Sequence, residues 1–232
     1  MLPKTYLPVI TLVLLLVNCF VIYEFDQDSS RWARLISTAV FFLILIWQRT
    51  YNLKILIAFC FLLVSDLLLF YYENSLANTG TFLMRISAYL LFVFTVVPEL
   101  RNLKSSPFQK LVFFGVFILN LAMLFLLVDM VPAKFGYPFL NVLFYAYGIT
   151  MITLVIAAIS YSNRYSNKTS FYYTAATLCL VFSDITSFIA YYLEFYEFYF
   201  PDRIFYILGI AGLVKFTTFA RSHAAVAELE SL

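Results

Sequence analysis

Histidine, cysteine and charge are scarce in this chain, and each scarcity closes a class of function. The one histidine, His223, lies beyond the last apolar run, which excludes histidine-based catalysis or a histidine metal site in the interior. Three cysteines, Cys19, Cys60 and Cys179, all stand inside apolar runs. They have neither the paired spacing of a metal site nor a disulfide framework, and read as small buried hydrophobes. Charged residues are 12% of the chain, against about a quarter in soluble domains. The net charge of +2 is spread over short loops, so no basic face exists for nucleic acid. No linker or low-complexity stretch divides the sequence, which reads as a single transmembrane domain over 1–232.

What is present is apolar: hydrophobic residues make up 63% and aromatic residues 20%. Eight apolar segments run approximately over 6–23, 32–47, 55–72, 81–97, 109–131, 137–161, 170–192 and 203–220. Each is near the ~20 residues needed to cross a hydrocarbon core about 30 Å thick. The expectation is an all-α polytopic integral membrane bundle of eight transmembrane helices. Trp32 and Trp47 bracket the second segment and tyrosines close most others, as interfacial belts do. Lys4 before an apolar run resembles a signal peptide, but no small-x-small cleavage site precedes Tyr23-Glu24-Phe25-Asp26, so the first segment is read as a transmembrane helix.

Orientation follows from the basic residues. The loops after segments 2, 4 and 6 hold Arg49, Lys54, Arg101, Lys104, Lys110, Arg164 and Lys168 with the single acid Glu99. The loops after segments 1, 3, 5 and 7 hold Arg31, Arg34, Lys134 and Arg203 among Glu24, Asp26, Asp28, Glu73, Asp129, Glu194, Glu197 and Asp202. The positive-inside rule then places both termini in the cytoplasm of a bacterial inner membrane protein.

Two carboxylates stand inside the apolar runs, and such residues are expensive there unless paired, protonated or wetted. Cys60-Phe61-Leu62-Leu63-Val64-Ser65-Asp66 leads to Tyr71-Tyr72, and Cys179-Leu180-Val181-Phe182-Ser183-Asp184 leads to Tyr191-Tyr192. The echo predicts a 4+4 parallel repeat of half-proteins 1–110 and 111–232, related by an axis along the membrane normal. Asp66 and Asp184 are then expected at similar depth in the outer half, facing one another across a central cavity. Ser187 and Tyr191, with Thr177, share the helical face of Asp184. Arg85, early in the fourth segment, is in reach of Asp66 as a counter-charge, and Lys215 lies low in the eighth, able to snorkel inward.

Ser-Asp-Leu-Leu-Leu in the third segment and Phe-Ser-Asp in the seventh, within an eight-helix layout, resemble the YhhN family of membrane proteins, which includes lysoplasmalogenases. The resemblance implies that Asp66 and Asp184 are the catalytic pair, cleaving the vinyl ether of lysoplasmalogen-type lysolipids. It leaves Arg85, Tyr89, Ser187, Tyr191 and Lys215 as candidate substrate-binding residues. The sequence departs from the family pattern at Ser37-Thr38-Ala39, where a Lys-Pro pair is usual, at Ile86 near Tyr89, where a histidine is, and around Lys215, where a Tyr and a Gln are expected.

The chemistry suits carboxylates. Protonating the alkene carbon makes an oxocarbenium ion, and water then gives a hemiacetal that collapses to an aldehyde and a glycerophospho-headgroup. One Asp would donate the proton while the other, ionised, stabilises the cation. No cofactor and no metal is called for. The expected partners are a membrane lipid or lysolipid, with no nucleic acid. A second reading, favoured by the departures and by the many aromatics, is a non-catalytic scaffold or lipid-binding subunit with membrane-protein partner subunits. A third is a proton-coupled transporter, although glycines within the spans are limited to Gly115, Gly148, Gly209 and Gly212.

Overall fold

The structure is a computed structural model that describes residues 6–48, 52–100, 107–131, 137 and 139–230, and within these all side chains except those of 107–113, 116, 119 and 221–230. Lys4, Arg49, Arg101, Lys104 and Lys134 therefore lie outside the described residues, as do the side chains of Lys110 and His223. Among the described residues eight α-helices follow in order: α1 Tyr6–Glu24, α2 Gln27–Trp47, α3 Leu53–Leu68, α4 Ser75–Leu100, α5 Pro107–Asp129, α6 Leu140–Tyr165, α7 Lys168–Tyr192 and α8 Tyr199–Glu230. Short 3-10 turns follow α3 at Leu69–Tyr71 and precede α8 at Tyr196–Phe198, and the described residues contain no strand. Among the described residues seven helices are long and apolar enough to cross a membrane, whereas in α5 the apolar stretch Asn120–Asp129 is shorter than such a span. The chain is an integral membrane protein.

Three helices, α2, α4 and α8, begin a turn or more before their apolar segments, and for α2 and α4 local chemistry says why. The Asp26 side chain accepts from Ser29 N at 3.0 Å and starts α2 at Gln27, so Arg31 and Arg34 fall inside the helix and not in a loop. Asn74 accepts from Leu76 N at 2.9 Å and starts α4 at Ser75, which sets Arg85 ten residues, or about 15 Å, below that end. α8 follows directly on a 3-10 turn, begins at Tyr199 and carries Asp202 and Arg203 in its first turns. A hydropathy window cuts off at the first charge, whereas a helix continues if that charge finds a partner inside the protein.

Neighbouring helices close a ring in the order α2, α3, α4, α6, α7, α8 and back to α2. Outside it, α1 rests on α8 and α2, and α5 on α6. The connections between α1 and α2, α3 and α4, and α7 and α8 share one end, marked by Glu24, Asp26, Asp28, Glu73, Glu194 and Glu197; it is called the acidic end below. Contact is most extensive between α7 and α8, where small residues let the backbones approach. A Cβ added at Gly209 would lie 2.9 Å from Leu180 Cδ2, and one at Gly212 would lie 2.8 Å from Ala176 Cβ. Apolar side chains on the outer faces, such as Leu12, Leu16, Leu43, Phe94 and Phe171, are exposed, as a hydrocarbon solvent allows.

Candidate active site

Each helix of the ring sends at least one polar side chain to its centre. In α2, Arg34 and Thr38 stand one turn apart on the same face, and both are buried. Arg34 Nε donates to Asp66 Oδ1 at 3.0 Å, and its Nη1 donates to both oxygens of Asp202 at 3.2 Å. The other oxygen of Asp66 accepts from Thr38 Oγ1 at 2.6 Å and from the Tyr206 hydroxyl at 2.8 Å. The Arg34 guanidinium also lies 3.7 Å over the Tyr206 ring, and Ser183 Oγ donates to Asp202 at 2.6 Å.

Arg85 joins this cluster to the second one. Its Nε donates to Ser65 Oγ at 3.1 Å, its Nη2 stands 3.8 Å from Asp66, and its Nη1 pairs with Asp184. Asp184 accepts further hydrogen bonds from the hydroxyls of Tyr89 and Tyr147, whose rings stack with centroids 5.8 Å apart. Each of these hydrogen-bond partners of Asp66 and Asp184 donates to the carboxylate. The two do not face each other across open space, as the repeat suggested. The long side chain of Arg85 enters between them, because α4 carries it further into the bundle than an apolar segment starting at 81 implies.

A cavity of about 590 Å³ opens beside this network. Its polar part is walled by Arg31, Arg34, Arg85, Asp184, Asp202 and Arg203 and reaches Asp26, Gln27 and Glu197 at the acidic end. Its apolar arm is walled by Met123, Leu124 and Leu127 of α5, level with Gly148, and by Met151, Ile152 and Val155, which lie deeper along α6. Tyr147 and Asp184 stand where the two parts meet, since Val155 is eight residues, or about 12 Å, further along α6 than Tyr147.

Of the sequence-predicted residues, Asp184, Arg85, Ser187 and Tyr191 line the cavity together. Tyr89 reaches Asp184 from α4 but stands behind the wall, and Asp66 is sealed behind Arg34 and Arg85. Lys215 is not brought to the site. It follows Arg203 by twelve residues of α8, about 18 Å of rise, with its ammonium 5.4 Å from the Phe219 ring. Sequence reasoning missed Arg34, Asp202, Arg203, Tyr147 and Tyr206. A signal existed for some of them: Arg34 and Thr38 stand one turn apart in the second apolar segment and continue the spacing from Arg31 just before it, and Asp202 and Tyr206 are one turn apart. Among the described residues no group of three His, Cys, Asp or Glu side chains is arranged to hold a metal ion.

At the acidic end, Arg31 bonds Asp28 at 3.2 Å and Glu73 at 2.5 Å, tying α2 to the α3–α4 connection. Partial burial pushes the Glu73 carboxyl up, but the hydrogen bond and charge of Arg31 outweigh it and hold the carboxyl below its ordinary value. Asp26 is likewise lowered by the hydrogen bonds it accepts from Ser29. These two carboxylates therefore stay charged at the acidic end at neutral pH.

No curated protein and no solved structure matches the chain. A family model does, over residues 5–215, a span that takes in α1 through most of α8 and both intramembrane aspartates. The chain belongs to the YhhN family.

Proposed function

We propose that the protein hydrolyses the vinyl ether of lysoplasmalogen-type lysolipids, with Asp184 as the acid–base group. The observation that carries this reading is the cavity's division into a charged part and an apolar arm with Asp184 at the junction. A vinyl ether lipid has its reactive bond at that same place, between glycerol and alkyl chain. In its acid form Asp184 gives a proton to the alkene carbon. The carboxylate so formed is stabilised by Arg85, Tyr89 and Tyr147, donors already aimed at it, and it faces the oxocarbenium ion. Water adds to the cation and returns a proton to Asp184, and the hemiacetal collapses to a fatty aldehyde and a glycerophospho-headgroup. Asp66 holds Arg34 and Arg85 in place and acts through them.

The direct experiment incubates purified, detergent-solubilised protein with 1-alkenyl lysophosphoethanolamine and measures fatty aldehyde. Steady aldehyde release is expected. Binding without release would replace the hydrolase by the second reading, a non-catalytic lipid-binding subunit, which the complete pairing of Asp66 favours.

The finer architecture belongs to the same proposal. We take α5 as an eighth span, with both termini cytoplasmic in a bacterial inner membrane, on the bias of basic residues toward the loops after α2, α4 and α6. Cysteines placed at Gln27 and Ser105 are expected to label from outside and inside, respectively; the reverse pattern would refute this orientation. We also take 1–110 and 111–232 as duplicated halves. In support, the neighbour pairs α1–α2, α2–α3, α3–α4 and α8–α2 have the counterparts α5–α6, α6–α7, α7–α8 and α4–α6.

A further inference from the structure

We infer that Arg203 is the seat of a phosphate-bearing anion, and that it holds the head group of the single-chain lipid at the polar end of the cavity. Arg203 is 3% exposed and lines the cavity. Its Nη2 donates to Ser30 Oγ at 2.8 Å, whereas Nε and Nη1 have no partner. Buried donors of a charged group are costly to leave unmet, and an incoming acceptor removes that cost.

A second donor points the same way. Arg34 stands one turn after Ser30 in α2, lines the same part of the cavity, and leaves its Nη2 unpartnered. Two guanidinium groups that line one cavity and keep unmet N–H bonds suit a tetrahedral oxyanion, since arginine forks match phosphate oxygens in geometry and in charge.

The sequence explains why Arg203 is left over. It follows Asp184 at the same spacing at which Arg85 follows Asp66. Arg85 crosses to the aspartate of the other half, Asp184. The equivalent crossing would bring Arg203 to Asp66, but that carboxylate is already occupied by Arg34, Thr38 and Tyr206. Among the described residues the carboxylates within ion-pair distance of an arginine belong to Arg31, Arg34 and Arg85, and none belongs to Arg203.

The apolar arm decides between a free ion and a lipid. It begins at Asp184, on the far side of the charged part, so a molecule with a phosphate at Arg203 and a hydrocarbon chain along Met151 and Val155 fills both regions. This assignment rests on the cavity being a lysolipid site, as proposed above, but it does not require the lipid to be cleaved.

The test therefore uses a lipid that cannot be cleaved. The whole protein, in detergent, is titrated calorimetrically with 1-O-alkyl lysophosphoethanolamine, with 1-O-alkylglycerol of the same chain length, and with inorganic phosphate. The wild type is expected to bind the phosphate-bearing lipid at least about tenfold more tightly than the alkylglycerol. Arg203→Gln is expected to bring the two within about twofold of each other by weakening only the phosphate-bearing lipid. Equal binding of the two lipids by the wild type overturns the proposal, whether or not the variant folds, and so does an unchanged ratio in a folded Arg203→Gln protein. Inorganic phosphate should displace the lysolipid only at concentrations far above those of the lipid. If phosphate alone binds more tightly than the lysolipid, the seat belongs to a free ion and the lipid assignment falls. A protein that keeps the head-group ratio but releases no aldehyde from the alkenyl lipid loses the hydrolase reading and retains the seat; aldehyde release without the ratio has the opposite consequence.

Discussion

Asp66 and Asp184 sit in the same local sequence and end up in different surroundings. Asp66 is enclosed by Arg34, Thr38, Tyr206 and Arg85, is 1% exposed, and has no part in the cavity wall. Asp184 is held by Arg85 and two phenols and forms part of that wall. The difference teaches that a Ser-Asp pair in an apolar helix fixes burial and not role. The role depends on which partners the other helices bring, and here an arginine from α2 closes one aspartate while a tyrosine from α6 leaves the other open to a ligand.

The sharpest way to break this comparison is to neutralise each aspartate in turn. Asp66→Asn leaves Arg34 buried without its full counter-charge, and removing one member of a buried pair typically costs about 3–5 kcal/mol. Denaturant unfolding in detergent should show a loss of that order, and a change below about 1 kcal/mol would mean that Asp66 is not the structural member. For Asp184→Asn the main effect is expected in turnover, with aldehyde release falling at least ~10²-fold. The cavity lets water reach the altered group, so its unfolding transition should move less than that of Asp66→Asn. A D184N protein that keeps more than about a tenth of wild-type activity ends the acid–base assignment.

Removing single hydroxyls sharpens the contrast at smaller amplitude. Tyr147→Phe takes one donor from Asp184 and should lower turnover about tenfold, whereas Tyr206→Phe takes one from Asp66 and should lower stability by about 1.5–3 kcal/mol with little effect on turnover. Should the two variants show the same profile, the division of roles is void. The smallest effect belongs to the acidic end. Glu73 has a folded-state value below its ordinary one, so its bond to Arg31 contributes stability above the ordinary carboxylate range and loses it as pH falls through the lowered value. Solvent screening keeps that contribution below about 1 kcal/mol. The difference in stability between wild type and Glu73→Gln should therefore be present at neutral pH and vanish in acid, and a difference that grows on acidification would contradict the sign.

Much of the fold was legible because burying backbone in hydrocarbon leaves a helical segment few alternatives, and apolar length alone reports it. The starts of α2, α4 and α8 were not legible. Arg31, Arg34, Asp202 and Arg203 look like loop residues to a hydropathy window and become helical only because partners from other helices accept them. Of the candidate site, Asp184 and Arg85 were found from the letters, since an intramembrane charge announces itself. Tyr147 and Tyr206 were not, because tyrosine is frequent here and serves equally as interfacial belt, packing or hydrogen-bond donor.

The sequence by itself determined a helical membrane protein of the YhhN family with two buried carboxylates, because composition, segment length and the Ser-Asp echo are local properties that no packing arrangement alters. Only the tertiary structure decided that Arg34 closes Asp66, that Arg85 lies between the two aspartates, that Lys215 stands apart and that Arg203, in the cavity wall, keeps unmet donors. The physical reason is that a buried charge is stabilised by whichever counter-charge lies within about 4 Å, and that distance is set by how helices far apart in the chain pack around the ring.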